Sequence, residues 1–367
     1  MRAPKAVLLV MGLVTLNFES PAPARATPHG RICFIRGDLG SAHGSVNLLD
    51  LASGRVKKLR DSYASPDESV VPSPDGKLIA LATTNHQAES DETLIIDLQG
   101  RVIRRLHGRC TDWSSDGKEL IGLGYTTDKK GVRLFITDIT GANRRYLQTL
   151  SRRNIPINFS PPKFSPSGQV IIFEGYVGKA VENPGWEHTA LWTIEPSGGN
   201  SRVVFKQDVT FGHKIDWMDD HSVIVKLWGG FGNGLVLLDI ASGKFTMSFT
   251  VDEHYGYEDG SYCRQGNQVV CLGSWPYYRW DCDRVFLCKL EGLSIKESIA
   301  LTAEYTEQEA GGRVELFAFS PDGNQIAWLT PATQDQTNLV VFDLVTRQKI
   351  AVYNNMSRSI WSMVWIP

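Results

Sequence analysis

The sequence has little that would place the chain in a membrane or on a nucleic acid. After residue 26 no stretch approaches the run of about 18 uncharged apolar residues that a membrane-spanning helix needs. The 38 Lys and Arg residues nearly balance the 40 Asp and Glu residues, which gives a formal net charge of −2. Nucleic-acid-binding domains are usually strongly basic. We therefore expect no membrane span and no nucleic-acid partner.

Motifs of several catalytic and metal-binding classes are also missing. The sequence contains no G-x-S-x-G and none of the spacings H-x-H, H-E-x-x-H or D-x-D-x-D-G. His188, His213 and His254 lie in separate segments that could converge on a metal ion, which leaves a metal site as the less favoured alternative. We expect no cofactor and no bound metal.

The N-terminal 26 residues have the pattern of a signal peptide. Arg2 and Lys5 form a charged start, residues 6–16 form an apolar run that is too short to cross a bilayer, and Ala24-Arg25-Ala26 is a small-x-small cleavage pattern. We expect residues 1–26 to be removed and the mature protein to be periplasmic or secreted.

Six cysteines in an exported chain make disulfides possible. Cys263, Cys271, Cys282 and Cys288 lie close together in the sequence. Cys271 and Cys288 are placed symmetrically about the connection between two predicted strands. This placement leaves two alternatives open, a cross-strand disulfide or a pair of buried thiols that pack as small apolar groups.

One short motif recurs along the chain. Clear copies are VPSPDGKLIAL, DWSSDGKELIGL, KFSPSGQVIIF and AFSPDGNQIAW. Two further copies, DWMDDHSVIVKL and SYCRQGNQVVCL, retain the motif only in part. In the clear copies Ser, Pro or Asp precedes a Gly that can take a positive φ, and a β-branched or apolar strand follows. Each copy predicts a tight β-hairpin.

A second repeat follows each hairpin strand. Its copies are VNLLDLASG, TLIIDLQG, RLFITDITG, ALWTIEPSGG, LVLLDIASG, VFLCKLEG and LVVFDLVT. Seven of these segments accompany six hairpins, and we predict that the seventh hairpin is divided between the chain ends, SMVWIP and PHGRICFI.

The glycine-equivalent positions of the hairpins recur at intervals of 41 to 57 residues. A period of about 40 to 60 residues with four short strands in each unit is typical of a β-propeller. We therefore predict an all-β fold: a seven-bladed β-propeller of four-stranded antiparallel blades that is closed by the C-terminal strand joining the N-terminal blade. We expect residues 27–367 to form one domain and the protein to be a monomer.

The hairpin motifs that end at Gly76, Gly117, Gly168 and Gly323 resemble the WD-like propeller repeats of the periplasmic protein TolB and of prolyl oligopeptidase relatives. Some seven-bladed polysaccharide lyases have a similar repeat, but the paired-His segment of that family has no counterpart here. This TolB-like resemblance implies the fold and says little about function. This sequence departs from TolB, which has a six-bladed ring with an extra domain. It also departs from the peptidases, because it lacks the G-x-S-x-G motif of their hydrolase domain.

The connections between second and third strands are long and irregular, unlike the uniformly short turns at the opposite ends of the strands. Long loops on a rigid scaffold commonly carry binding sites. The segment GSWPYYRWDCDR, residues 273–284, is the richest of these predicted loops, and its neighbours in blades 4 to 6 add further aromatic residues. The candidate ligand-binding residues are Trp186, His188, His213, Trp228, Phe231, His254, Tyr257, Trp275, Tyr277, Tyr278, Arg279 and Trp280. Packing between blades is the alternative role for any one of these side chains.

Basic residues gather on predicted outermost strands of blades 1 to 3. They are Arg55, Lys57, Lys58, Arg60, Arg101, Arg104, Arg105, Arg144, Arg145, Arg152 and Arg153. Charges at a sheet edge prevent edge-to-edge pairing, and contact with an anionic envelope component or acidic partner is the alternative.

These observations favour a binding or scaffold module for a protein, peptide or glycan, with no catalytic residues. The alternative is a hydrolase or lyase of polysaccharide or peptide, with a histidine as base and a carboxylate as acid or metal ligand. The candidates for those roles are His188, His213, His254, Glu187, Glu253, Glu258, Asp281 and Asp283.

Overall fold

The structure is a computed structural model that describes most of the chain after residue 26. The described residues are 27–37, 43–63, 69–85, 90–126, 128, 131–151, 161–176, 189–206, 210–228, 234–248, 256–263, 267–275, 279–302, 315–333, 336–357 and 360–367. The predicted signal peptide lies outside these residues. The side chains of Cys263 and Cys282 are also outside the description.

The described residues form seven four-stranded antiparallel sheets, here called blades 1 to 7. From the inner to the outer strand, blade 1 contains β28 (Ile360–Ile366), β1 (Arg31–Gly37), β2 (His43–Asp50) and β3 (Arg55–Tyr63). Blade 2 contains β4 (Ser69–Pro72), β5 (Leu78–Asn85), β6 (Ser90–Asp97) and β7 (Val102–His107). Blade 3 contains β8 (Arg109–Trp113), β9 (Glu119–Tyr125), β10 (Gly131–Asp138) and β11 (Arg145–Ser151). Blade 4 contains β12 (Lys163–Phe164), β13 (Ile171–Tyr176), β14 (Thr189–Ile194) and β15 (Arg202–Lys206).

Blade 5 contains β16 (Thr210–Trp217), β17 (Ser222–Trp228), β18 (Gly234–Asp239) and β19 (Phe245–Ser248). Blade 6 contains β20 (Gly256–Cys263), β21 (Gln268–Trp275), β22 (Arg279–Glu291) and β23 (Ser294–Ala300). Blade 7 contains β24 (Glu315–Phe319), β25 (Gln325–Thr333), β26 (Gln336–Asp343) and β27 (Gln348–Ser357). The predicted seven-bladed architecture is confirmed.

The hairpin motif forms the turn between the first two strands of a blade. In blade 2 the Gly76 amide donates to the Ser73 carbonyl at 2.9 Å, and Gly76 has a φ of +66°. The Ser73 hydroxyl donates to the Asp75 carboxylate at 2.7 Å and accepts the Leu78 amide at 3.0 Å. A residue with a Cβ is strained at such a φ. The motif is therefore a turn whose polar groups bind one another.

The chain ends meet in blade 1, as the sequence predicts. β28 pairs antiparallel with β1, and Ile32 lies opposite Trp365 and Phe34 opposite Met363. The C-terminal strand thus becomes the innermost strand of the first blade and completes its sheet.

Seven apolar clusters lie between neighbouring blades and make up the described core. The cluster between blades 7 and 1 combines Ile32 and Trp365 with Ala327 and Val341, all buried. The inner strands contact one another in succession through β20, β24, β28, β4, β8 and β12. The Lys163–Asp216 ion pair joins β12 to β16, and the Tyr262 hydroxyl donates to the Met218 carbonyl to join blade 6 to blade 5. The blades therefore form a closed ring.

Gly76→Ala should lower the thermal unfolding temperature more than Gly168→Ala. Both glycines hold the same turn position with φ of +66° and +74°, so each substitution costs about 1 kcal/mol of backbone strain. A Cβ at Gly76 would in addition overlap the Pro367 carbonyl, whereas a Cβ at Gly168 meets nothing within 4 Å. Equal losses in the two variants would contradict a tight contact between blade 2 and the C-terminus.

Candidate functional site

The two faces of the ring differ in what connects the strands. The turn face carries the hairpin turns, such as Ser73–Gly76, and the turns between third and fourth strands, such as Asp50–Gly54. The loop face carries the opposite strand ends, where second strands lead to third strands and each blade leads to the next. In blades 4 to 6 the segments between second and third strands are 177–188, 229–233 and 276–278, which lie outside the described residues.

Six of the twelve predicted site residues lie in described strands, although their side chains lie outside the description. They are His213 in β16, Trp228 in β17, Tyr257 in β20, Trp275 in β21, and Arg279 and Trp280 in β22. The other six, Trp186, His188, Phe231, His254, Tyr277 and Tyr278, lie outside the described residues.

The predicted loop 273–284 of blade 6 is largely a hairpin, which corrects the sequence interpretation. β21 continues to Trp275, β22 begins at Arg279, and these two residues lie opposite each other. Aromatic residues favour extended strands that pair across a sheet. The aromatic segment therefore lengthens the two strands, and only 276–278 separates them.

Pairing brings several of the predicted residues to one end of blade 6. Tyr257 lies opposite Gly273, two residues before Trp275. Trp228 is at the equivalent end of blade 5, opposite Thr210, while His213 lies within an irregular part of the pairing between Phe211 and Ile215. These strand ends belong to the loop face, whereas His213 lies further along its strand.

Charged residues also lie within the sheets of blades 4 to 6, and sequence reasoning missed them. Glu174 in β13 is 1% exposed and lies opposite Leu191, a core residue between blades 4 and 5. Lys226 in β17 and Arg284 in β22 are half-buried. Burial of a charge is costly unless it is paired or used. The signal was present in the sequence as a charge inside an apolar strand, IIFEGY and VIVKLW.

The turn face uses its carboxylates internally. Asp75 and Asp116 each accept a hydrogen bond from a Ser hydroxyl at 2.7 Å and from a Lys amide at 3.1 Å. These contacts, the serine hydroxyl foremost, lower the pKa of both carboxyls to about 2. The acidic residues of these turns therefore act as parts of the turns themselves.

A second polar cluster lies on the inner strands of blades 3, 4 and 5, here called the axial triad: Asp112, Lys163 and Asp216. The Lys163 ammonium donates to Asp216 Oδ1 at 2.6 Å, and both side chains are about one quarter exposed. Asp112 Oδ2 accepts the Phe164 amide at 2.9 Å. The triad therefore spans three neighbouring blades beside the ring axis.

The environment of the triad changes the pKa of two of its members. Burial raises the pKa of the Asp112 carboxyl to about 6, and the Lys163 ammonium offsets this only in part. Burial acts to lower the pKa of Lys163, but the Asp216 carboxylate more than offsets this and holds it above its usual value.

The triad has a signature in the sequence. Asp112, Lys163 and Asp216 each stand immediately before the aromatic residue of a hairpin motif. Blades 7 and 1 have Ala318 and Val364 in this place. Three consecutive charged substitutions at one position of a repeat indicate a contact that runs between units.

Cys271 and Cys288 are buried side by side. Their sulfur atoms lie 3.6 Å apart, well beyond the bond length of about 2.05 Å in a disulfide. The structure therefore shows the second alternative from the sequence, two buried thiols in contact, and not the cross-strand disulfide. Cys33 and Cys110 are buried in other blades.

Basic residues on the outer strands bind the next blade as well as solvent. Lys57 Nζ donates to the Leu98 carbonyl at 3.4 Å, and Arg145 Nε donates to the Pro196 carbonyl at 3.3 Å. Both carbonyls directly follow the acidic residue of the second repeat in the next blade. These cations thus stabilise the rim of the ring in addition to occupying a sheet edge.

Two findings bear on metals and membranes. Across the described part of the chain, no group of three or more His, Cys, Asp or Glu side chains is arranged to hold a metal ion. His188 and His254 lie outside that part, so the metal alternative built on them stays a prediction. Within the same described ranges, no helix has the length and apolar character needed to span a bilayer.

The chain matches no protein-family model and no curated protein sequence. Solved structures do match it. A prolyl endopeptidase aligns with a TM-score of 0.62 and 13% identity over 90% of this chain and 49% of its own, so the chain spans about half its length. TolB from Acinetobacter baumannii aligns with a TM-score of 0.51 and 14% identity, and the alignment covers 92% of this chain and 67% of TolB. An oligogalacturonate lyase in complex with manganese aligns with a TM-score of 0.58 and 12% identity, and the alignment covers 88% of this chain and 85% of the lyase. The chain therefore has the TolB-like β-propeller fold that these solved structures share.

Asp75→Asn and Asp116→Asn should each lower stability at neutral pH and have little effect near pH 2. A carboxyl whose folded pKa is lowered stabilises the fold above its unfolded pKa of about 4, and this contribution is lost as pH falls toward 2. Thermal unfolding of both variants from pH 2 to 7 would measure the difference. A loss that does not change with pH would show that the charge is not what stabilises the turn.

Proposed function

We propose that this chain is an exported binding module that holds a protein, peptide or glycan on the loop face of blades 4 to 6. The observation that carries the proposal is the hairpin end of blade 6. There Trp275 lies opposite Arg279, and Tyr257 lies opposite Gly273, two residues before Trp275. Trp, Tyr and Arg are the residues most often found at the energetic centre of binding surfaces. Export is supported by the signal-peptide pattern of residues 1–26.

One buried and two half-buried charged residues in the sheets of these blades support the same location. Glu174, Lys226 and Arg284 lie in the second and third strands of blades 4, 5 and 6. Charged side chains are rarely buried unless they are paired or used, so low exposure makes them candidates for a functional site, although structural ion pairs also occur. The turn face offers no comparable arrangement among the described residues, because its carboxylates are bound by their own turns.

Removal of the two tryptophans tests the proposal. Trp275→Ala with Trp280→Ala should weaken ligand binding by at least about tenfold and leave the unfolding temperature nearly unchanged. The ligand would first be identified by screening glycan and peptide arrays with the intact mature protein. Tyr146→Ala provides a matched control, because Tyr146 is 55% exposed on the outer strand of blade 3.

The outcome of the unfolding measurement separates the two roles of these aromatic residues. A large fall in unfolding temperature with the double variant, but not with Tyr146→Ala, would assign Trp275 and Trp280 to packing. Unchanged binding in a stable double variant would remove the loop face of blade 6 as the site.

A second candidate function, a propeller lyase or hydrolase, is favoured by the burial of Glu174. Its carboxylate is 1% exposed two residues before the loop-face end of β13, and buried carboxylates serve as general acids or bases in many enzymes. Elemental analysis of the purified protein, with cleavage assays on acidic polysaccharides and peptides, tests this alternative. A stoichiometric divalent metal and an activity lost in Glu174→Gln would favour the enzyme, and the lack of both would exclude it for these substrates.

A further inference from the structure

The outer strands of blades 1 and 2 are rich in exposed cations. Lys57 and Lys58 in β3 and Arg104 and Arg105 in β7 are all exposed. The outer strands of blades 5 and 6 show that the fold does not require them, because β19 has no charged residue and β23 has one Lys and one Glu. The cations are therefore a feature of one part of the rim and not of the blade as such.

Protection of a free sheet edge does not account for these cations, because the next blade already covers the edge. The turn between β6 and β7 of blade 2 lies on the middle of β3, where a Cβ built on Gly100 would be 2.1 Å from the Leu59 carbonyl oxygen. The turn between β10 and β11 of blade 3 lies on β7 in the same way, and a Cβ on Gly141 would be 3.1 Å from the Leu106 side chain. Charges that prevent edge pairing are needed where an edge is open.

Carboxylates within the rim neutralise several of the cations. Arg105 binds Glu92 at 2.9 Å, and Arg101 binds Asp97 at 2.6 Å. Four other cations, here called the basic flank, have no carboxylate partner among the described residues: Lys57, Arg60, Arg104 and Arg144. The charge of the basic flank is therefore available to a ligand.

Contacts between blades make the basic flank continuous. Lys57 of blade 1 donates to the Leu98 carbonyl of blade 2 at 3.4 Å, and Arg144 of blade 3 donates to the His107 carbonyl of blade 2. Arg104 lies on β7 between these two contacts. The four cations thus follow the rim across three neighbouring blades.

The shape of the rim selects among anionic partners. Seven blades divide a ring into steps of about 50°, so the outer strands of blades 1 and 3 face directions about 100° apart. A flat bilayer touches such a convex rim at one blade at a time. An extended peptide binds a sheet by pairing with its edge, and the turn of blade 2 already occupies the middle of β3. A linear polymer can instead follow the curve and contact side chains of all three blades.

We propose that the basic flank binds a linear acidic polysaccharide, whose carboxylates pair with its four cations. A guanidinium group matches a carboxylate through two parallel hydrogen bonds. The exposed side chains of Val56 and Ile103, which lie among the cations, provide apolar contact for sugar rings. This surface lies on blades 1 to 3 and does not depend on the loop-face site proposed for blades 4 to 6.

Binding of the intact mature protein to hyaluronate tests the proposal. Hyaluronate is a linear polysaccharide that carries regularly spaced carboxylates, and neutral dextran is the uncharged control. Calorimetric titration should show binding to hyaluronate at low ionic strength and none to dextran. The affinity should fall at least about tenfold between about 0.05 M and about 0.3 M NaCl, because salt screens contacts between exposed charges.

Two matched pairs of substitutions locate the binding surface. Arg60→Gln with Arg104→Gln should weaken hyaluronate binding about tenfold, the product of about threefold for each exposed charge pair. Lys244→Gln with Lys349→Gln removes the same charge from exposed positions of blades 5 and 7 and should change the affinity less than about twofold. Neither pair should change the unfolding temperature appreciably, because none of the four side chains is buried.

Equal losses of affinity in the two double variants would overturn the proposal, because they would indicate attraction by overall charge. The lack of hyaluronate binding at low salt would also overturn it. Tighter binding to a polyglutamate peptide, or to vesicles that contain an anionic phospholipid, would replace the polysaccharide with a peptide or a bilayer. Trp275→Ala with Trp280→Ala should leave hyaluronate binding intact, and its loss there would move the glycan to the loop face.

Discussion

The pairing of β28 with β1 is the constraint on which the rest of the structure depends. Each blade buries its apolar faces only against its neighbours, as in other repeat proteins. Without this pairing, the cluster that joins Ile32 and Trp365 to Ala327 and Val341 would have one side facing water. Closure of a ring removes the two exposed ends that a linear stack of blades would have.

Once the ring is closed, positions that are equivalent in the repeat can serve different purposes. The position before the motif aromatic is apolar in blades 7 and 1, where it needs only to pack. In blades 3 to 5 it is charged, and there the charges connect one blade to the next. Among the described residues, the inner strand of blade 4 forms two pairs with its own sheet, and side chains of blade 3 add hydrogen bonds to its backbone.

The two faces of the ring differ in where their polar groups find hydrogen-bond partners. Turn-face carboxylates satisfy the backbone amides of their own turns, and rim cations such as Lys57 and Arg145 bind carbonyls of the next blade. At the loop face of blades 4 to 6, by contrast, aromatic strand ends lie above charged residues in the sheets. This asymmetry within one face, and not the fold as a whole, is the basis of the proposed site.

The sequence by itself determined the number of blades, their strand order and the closure at the chain ends, because glycine turns and apolar strands are local patterns that recur in every unit. It did not reveal that residues 273–284 continue two strands, since a hairpin extension and a loop can share the same aromatic composition. It also did not separate a disulfide from two thiols at Cys271 and Cys288, because their sulfur separation depends on how the two strands pack. The contacts of the axial triad depend on tertiary structure, because Asp112, Lys163 and Asp216 are about 50 residues apart in sequence and the packing of blades 3, 4 and 5 side by side brings their strands together.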